Sequence, residues 1–146
     1  VISVIDLTTN QQVYLDRFNK IDWALQRERV ISVWQKYKPT TIVAERNSIG
    51  DPNIEALQRD GVPMQPFTTT NATKADIIER LSLAVERKEI TLLDNAVQTA
   101  ELEAYEMERT PSGLVKYGAP QGLHDDCVMA TALAWYGSVG YGASGL

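Results

Sequence analysis

Short apolar strands that alternate with helix-like segments constrain the fold of this chain more than any other feature. Residues 40–44 form a β-branched, apolar run directly after Pro39, as expected for a buried parallel strand. A helical pattern that starts at Asp22 precedes this run, and a shorter one that stops at Gly61 follows it, ahead of a second apolar run over residues 62–67. This order predicts an α/β fold in which helices flank a central sheet.

The remaining segments add a hairpin and further helices. Residues 1–5 and 13–18, separated by polar turn residues, predict an antiparallel hairpin, so we expect the central β-sheet to be mixed. Thr73 followed by Asp76 resembles a capping box at the start of a helix with a clean apolar stripe. Four more elements are predicted: a strand over residues 90–93, a helix capped by Asn95 that runs through Tyr105 and Met107, a β-like stretch over residues 114–117, and a helix from about Asp125 to about Tyr136.

The composition favours one compact, soluble domain. With 146 residues and 44% hydrophobic content, the chain can bury one core, and no apolar run approaches the ~20 residues of a membrane span. We expect one domain over residues 1–137 and a flexible tail over residues 138–146, which is rich in Gly and Ser. The single cysteine, Cys127, cannot form an internal disulfide, which fits a reducing compartment.

The formal net charge of −5 has the wrong sign for a protein that binds phosphate by general electrostatic attraction. A role in DNA chemistry therefore has to come from a local site. Lys74, near the start of a helical pattern, is a candidate for a phosphate contact, because helix N-termini favour anions. An ordinary solvated lysine explains it equally well.

Glu45 directly follows the apolar run over residues 40–44. An acid is costly to bury unpaired, and the carboxyl ends of strands are where α/β folds place their ligands. These two rules favour a site role for Glu45. The alternative is an ion pair with Arg46 or another surface cation, a common and weak interaction.

Asp125 and Asp126 stand at the start of the last helical pattern. The helix dipole favours negative charge there, and N-capping explains one of the two acids. The second must still be solvated, paired or bound to a metal, so both interpretations stay open. His124 is the only histidine and has no partner at metal-site spacing, so we do not count it among the ligands.

The available ligand types indicate which metal would suit such a site. Carboxylates without a cysteine cluster favour a hard cation, Mg²⁺ or Mn²⁺, over zinc. Glu45, Asp125 and Asp126 could supply oxygen ligands for two-metal phosphodiester hydrolysis, in which the ions activate a water and stabilise the leaving oxygen.

Four blocks of sequence, in this order, resemble the C-terminal nuclease domain of tailed-phage terminase large subunits. They are Val4-Ile5-Asp6, the run from Thr41 through Glu45-Arg46-Asn47-Ser48 to Gly50, Thr73-Lys74, and Gly122-Leu123-His124-Asp125-Asp126. The resemblance extends over nearly the whole chain. Its acid-Arg-Asn-Ser-hydrophobic-Gly and Gly-x-His-Asp-Asp blocks are specific in combination.

The resemblance implies an RNase H-like fold and a metal-dependent endonuclease that cuts concatemeric double-stranded viral DNA. Glu45, Asp125 and Asp126 would be its metal-binding catalytic acids. Because the chain has no Gly-x-x-x-x-Gly-Lys-Ser/Thr loop, the ATPase motor is expected upstream on the same polypeptide. The partners implied are DNA, the portal and the small terminase subunit, in the cytoplasm of the host cell.

The family usually carries a first catalytic Asp on a strand ahead of the segment that resembles residues 1–6. We therefore expect this strand and its acid to be absent from residues 1–146. Asp6 can instead be taken as the first-strand metal ligand, although the resemblance places it after the second strand.

Two other functions are compatible with the same residues. A junction-resolving nuclease of the RNase H-like fold would share the acids and prefer branched DNA. A non-catalytic interaction module, docked on a packaging motor or portal, would use the acids only as solvated caps. The acidic net charge supports the second of these alternatives.

Overall fold

The structure is a computed structural model that describes residues 1–19, 21–109, 115–119 and 125–144. Its elements are β1 (Ile2–Asp6), β2 (Gln11–Asp16), α1 (Trp23–Tyr37), β3 (Ile42–Glu45), α2 (Arg46–Ile49), α3 (Asp51–Arg59), β4 (Met64–Phe67), α4 (Asn71–Glu86), α5 (Ala96–Ala104), β5 (Glu106–Arg109), β6 (Val115–Gly118) and α6 (Asp126–Ser144). The chain divides into two compact units. The first unit comprises residues 1–17 and 70–146, and the second comprises residues 18–69.

The second unit contains the predicted strand–helix–strand arrangement. Asp22 caps α1 by accepting a hydrogen bond from the Leu25 N–H at 3.0 Å, and the helix is followed by its C-cap residue Lys38, whose φ of 48° is left-handed. Strand β3 pairs with β4 in parallel, and α3 lies between them in the sequence. Gly61 has a φ of 88°, which explains why the chain turns there after α3. The predicted helix after Asp22, the parallel strand pair and the end of the following helix near Gly61 are confirmed.

The first unit contains the predicted hairpin, in which β1 and β2 are antiparallel. Helix α6 packs against α4, α5 and β1. Ile77 and Leu81 of α4 and Val128 of α6 are buried, as expected from their apolar spacing. A second antiparallel pair, β5 with β6, completes the strands described in this unit.

Several element boundaries differ from the sequence predictions. The capping box of α4 is formed by Thr70 and Thr73, one turn before the predicted pair of Thr73 and Asp76. Residues 90–93 do not form a named strand, and their only ladder contact among described residues is a parallel bridge between Thr91 and Gln11. Helix α5 ends at Ala104 because Tyr105 adopts an extended backbone, so the predicted continuation through Met107 is wrong.

Helix α6 continues to Ser144, beyond the predicted end near Tyr136. Glycine lowers helix propensity by about 1 kcal/mol relative to Ala, which is why the local sequence suggested an earlier end. The division into a domain over residues 1–137 and a tail over residues 138–146 stays a prediction.

The prediction of an α/β fold is confirmed, since helices and strands alternate along the described chain. In the part of the chain that the structure describes, the strands form one parallel and two antiparallel ladders of two strands each. Among the described residues, no helix is both long and apolar enough to cross a membrane.

Candidate functional site

Glu45 lies at the carboxyl end of the parallel strand β3, where the sequence placed it. Its Oε1 accepts a hydrogen bond from the Ser48 hydroxyl at 2.8 Å, and its Oε2 accepts one from the Thr69 hydroxyl at 2.7 Å. Ser48 belongs to α2, and Thr69 follows β4, whose Phe67 is the register partner of Glu45. The end of this ladder therefore holds the carboxylate in one direction and leaves lone pairs on both oxygens for another ligand.

Arg46, which was considered as an ion-pair partner of Glu45, pairs with Asp51 instead. Arg46 Nε lies 3.4 Å from Asp51 Oδ1 at the start of α3, and these side chains are 46% and 58% exposed. Ser48 and Thr69, by contrast, offer Glu45 neutral hydroxyls. Neutral donors orient a carboxylate without cancelling its charge, which suits a cation ligand.

Asp125 directly precedes α6, and two residues distant in the sequence hold its side chain. Its Oδ2 accepts hydrogen bonds from Lys74 Nζ at 3.0 Å and from the Tyr105 hydroxyl at 3.3 Å. The Lys74 and Asp125 side chains are only 23% and 25% exposed. The Lys74 ammonium also lies 6.0 Å from the centre of the Tyr105 ring, at the limit of a cation–π contact.

The Tyr105 phenol is a hydrogen-bond donor at every physiological pH. Burial raises its pKa well above the ordinary value of 10.0, and the negative charge of Asp125 raises it further. One oxygen of Asp125 therefore receives a charged donor from Lys74 and a neutral donor from Tyr105. The two donors together fix the orientation of the carboxylate.

Asp126 is the first residue of α6 and is exposed. The next two amides, of Cys127 and Val128, donate to Oε1 of Glu101 at 2.9 and 3.4 Å. These are amides of the kind that an N-cap side chain ordinarily satisfies. Glu101 belongs to α5 and is buried, with 9% exposure. Capping of these amides therefore requires neither Asp125 nor Asp126.

Asp6 is the last residue of β1, and its carboxylate accepts a hydrogen bond within the hairpin turn. Its Oδ1 accepts a hydrogen bond from the Thr8 N–H at 2.8 Å. This bond, with weaker contributions from the Thr8 hydroxyl and from Thr9, lowers the pKa of Asp6 below the ordinary 3.8. Local turn structure of this kind accounts for the residue without a metal.

The candidate residues are divided between the two units. The first unit contains Asp6, Lys74, Asp125 and Asp126, whereas the second contains Glu45. Within either unit, the described His, Cys, Asp and Glu side chains form no group of three that would hold a metal ion by itself. The ion pair brings Lys74 to Asp125, and Asp6 bonds to its own turn.

Sequence reasoning missed four residues that support the candidate acids: Ser48, Thr69, Glu101 and Tyr105. Thr69 and Tyr105 reach their acid from a distant part of the sequence, and Glu101 accepts the Cys127 and Val128 amides that follow Asp126, so no local spacing could reveal these three residues. Ser48 stands three residues after Glu45, and this spacing was the only local signal. His124, set aside in the sequence analysis, lies outside the described residues.

Comparison with protein families gives a match over residues 1–136 to the family described as "Terminase RNaseH-like domain". A terminase large subunit of Thermus virus P23-45 is 31% identical over 136 residues. That alignment covers 92% of this chain and 28% of the relative, so the chain spans little more than a quarter of the relative's length.

Solved structures of the large terminase nuclease from thermophilic phage G20c are also similar. The nuclease with bound magnesium matches with a TM-score of 0.83 and 30% identity, over 92% of this chain and 71% of that one. The same nuclease with bound cobalt matches with a TM-score of 0.83 and 30% identity, over 92% of this chain and 72% of that one.

Proposed function

Because the chain belongs to the family of terminase RNase H-like domains, we propose that it is the metal-dependent endonuclease domain of a phage DNA-packaging terminase large subunit. In this role it cuts concatemeric double-stranded viral DNA by two-metal phosphodiester hydrolysis. Glu45, Asp125 and Asp126 are the proposed metal-binding catalytic acids.

One observation carries the assignment of the acids. Glu101 already satisfies the Cys127 and Val128 amides at the start of α6, so Asp125 and Asp126 are not explained as caps of these amides. Asp125 meets the Lys74 ammonium and Asp126 is exposed, so the fold accommodates both carboxylates without using them as caps of these amides. We propose that their negative charge serves metal binding.

The chemistry of the proposed ligands fits a hard divalent cation, Mg²⁺ or Mn²⁺. All three are carboxylates, and the single cysteine, Cys127, is fully buried. Magnesium and cobalt are bound by the related phage G20c nuclease. When bound, such ions supply an activated water and stabilise the charge that develops on the phosphate and the leaving oxygen.

The residues around the acids have supporting roles in this proposal. Ser48 and Thr69 hold Glu45 through neutral hydroxyls, and Lys74 and Tyr105 orient Asp125. Lys74 remains a candidate for a phosphate contact. Its ion pair with Asp125 favours orientation of the acid as its main role, because the Lys74 side chain is only 23% exposed.

The whole protein's partners are part of the same proposal. Terminase large subunits are the relatives, and the chain spans about 28% of the one from Thermus virus P23-45. We therefore propose an ATPase motor upstream on the same polypeptide. Double-stranded DNA, the portal and the small terminase subunit are the expected partners, in the host cytoplasm.

The test of the function is plasmid cleavage in Mn²⁺ by this chain and by a version extended upstream. We expect Glu45→Ala and Asp126→Ala to reduce cleavage by about 100-fold or more, beyond the 10- to 100-fold typical of residues behind the ligands. Asp76→Ala is the matched control, since Asp76 is an exposed acid whose surface ion pair with Arg80 contributes little. This control is expected to cut normally.

Each result separates the candidate functions. Undiminished cutting by both Glu45→Ala and Asp126→Ala would refute the site. Cutting by the extended form alone would indicate that a further ligand lies upstream of residue 1. Preference for four-way over linear DNA would indicate a junction-resolving nuclease, and failure of the intact chains to bind Mn²⁺ or cut would indicate an interaction module.

A further inference from the structure

Glu101 is an acid that is buried on one helix and bonded to the start of another. Its Oε1 accepts the Cys127 N–H at 2.9 Å and the Val128 N–H at 3.4 Å, and its side chain is 9% exposed. A buried carboxylate is costly unless donors surround it. Here the donors are free amides at the positive end of the helix dipole, which favour negative charge.

A second polar contact ties the same two helices together. One turn before Glu101 on α5, Gln98 accepts a hydrogen bond from Thr131 at 2.8 Å, one turn after Cys127 on α6. Gln98 and Thr131 are each 1% exposed. Because the later residue of α5 pairs with the earlier residue of α6, the two helices run antiparallel, with two fixed points about one turn apart.

We propose that Glu101 is a positioning residue for the active site: it fixes the first turn of α6 and thereby sets the directions of Asp125 and Asp126. The inference rests on the proposed function, since it gives these acids a task that depends on their direction. Asp125 and Asp126 immediately precede the two amides that Glu101 holds. A change in the first turn therefore reaches both side chains directly.

Supplying the cap from another helix has a chemical advantage. A side chain that caps its own helix directs its oxygen toward the helix amides and loses part of its capacity for other ligands. Glu101 takes over two of these amides and leaves the local acids available. The arrangement explains why a glutamate is tolerated in the contact between α5 and α6.

The test uses two substitutions that separate geometry from charge. Glu101→Gln keeps an oxygen acceptor on a side chain of the same length and removes the charge. Glu101→Asp keeps the charge but shortens the side chain by one methylene, which moves the oxygens away from the amides. We expect Glu101→Asp to raise the Mn²⁺ dissociation constant about tenfold, the size typical of residues that support metal ligands. Glu101→Gln is expected to stay close to the unmodified chain.

Two further readouts keep the proposal separate from a general loss of stability. Amide hydrogen exchange at Cys127 and Val128 should accelerate in Glu101→Asp and not in Glu101→Gln. Val33→Ala, a core change in the second unit, is the control and should lower the melting temperature without changing Mn²⁺ affinity. If this control weakens Mn²⁺ binding as much as Glu101→Asp does, the positioning role is overturned.

The outcome also distinguishes this inference from the proposed function. If neither the unmodified chain nor its upstream-extended form binds Mn²⁺, the proposed function fails. The carboxyl ¹³C shifts of Asp125 and Asp126 then still report whether Glu101→Asp reorients these side chains. The positioning role would be overturned if Glu101→Asp changed neither the carboxyl ¹³C shifts nor the amide exchange. It would also be overturned if Glu101→Gln changed these readouts as much as Glu101→Asp does.

Discussion

Asp6 and Asp125 are aspartates beside the end of a regular element, but their hydrogen bonds have different origins. Asp6 bonds to Thr8, two residues away, whereas Asp125 bonds to Lys74, which is 51 residues away in sequence. A local bond of the first kind exists wherever the chain turns. A long-range bond of the second kind exists only because the fold brings two elements together, and this difference separates a turn residue from a candidate site residue.

The turn assignment predicts that Asp6→Ala leaves Mn²⁺-dependent cleavage close to that of the unmodified chain. Its effect should be confined to the stability of the hairpin, because the lost bond is the one to the Thr8 N–H. Plasmid cleavage by the upstream-extended chain measures the first effect, with Asp126→Ala as the inactive reference. A loss as large as that of Asp126→Ala would make Asp6 a metal ligand.

The same bond gives Asp6 a pH dependence of known sign. Its pKa is lowered in the folded state by the Thr8 hydrogen bonds, so the folded chain favours the carboxylate more than the unfolded chain does. The stabilisation is therefore present above the unfolded pKa of 3.8 and is lost as the pH falls through the lower folded value. A carboxyl ¹³C titration of Asp6 with a midpoint at or above 3.8 would contradict this assignment.

The sequence alone located the candidate acids better than it located their environment. Glu45 was expected at the carboxyl end of a strand, and it lies there, because a β-branched run and its end are local features. Thr69, Tyr105 and Glu101 were missed because their contacts join residues 20 to 26 positions apart. Helix α5 has several charged or polar residues, and only the fold shows that Glu101 faces inward.

Buried polar contacts help to hold helix α5 in place. Gln98 and Gln12 exchange two side-chain hydrogen bonds, at 2.9 and 2.8 Å, and both residues are almost completely buried. Gln12 also donates to Thr131 and accepts the Leu93 N–H. This network joins β2, α5, α6 and the segment before α5, and no described buried side-chain polar atom lacks a partner.

We expect Gln98→Ala to reduce the free energy of unfolding by about 2 kcal/mol or more, because it removes three buried hydrogen bonds, two with Gln12 and one with Thr131. Gln65→Ala is the matched control, since Gln65 is exposed on β4 and should change stability by less than about 0.5 kcal/mol. Urea unfolding of both variants measures the difference. Equal stability of the two variants would mean that the buried network contributes little.

Elements whose ends are set by neighbouring residues were predicted more accurately than elements that depend on contacts with distant parts of the chain. Asp22, Pro39 and Gly61 act on the backbone beside them, and the elements they bound were predicted correctly. The run over residues 90–93 has strand composition, but its pairing depends on the approach of Gln11, and among the described residues it forms only one bridge. Likewise, Thr70 and Thr73 compete with the later pair for the start of α4, and the sequence offers no local reason to prefer either.

At the scale of the whole molecule, the negative net charge of the chain disfavours binding of the proposed substrate, DNA, which is also negatively charged. The chain carries −5 overall, and its relatives among terminase large subunits are more than three times as long as the aligned region. Non-specific DNA affinity comes mostly from contacts between basic residues and phosphate. The chain should therefore rely on other parts of the terminase to deliver DNA to its acids.

This predicts that the isolated chain binds duplex DNA weakly in the absence of divalent metal, with a dissociation constant weaker than ~10⁻⁴ M at physiological salt, the upper limit typical of non-specific binding. Fluorescence anisotropy of a labelled duplex in EDTA measures it, with the upstream-extended chain for comparison. Tighter binding by the extended chain alone would place DNA capture outside residues 1–146. Tight, steeply salt-dependent binding by the isolated chain would contradict the prediction. It would direct attention to the basic residues in and directly after α1, namely Arg27, Arg29, Lys36 and Lys38.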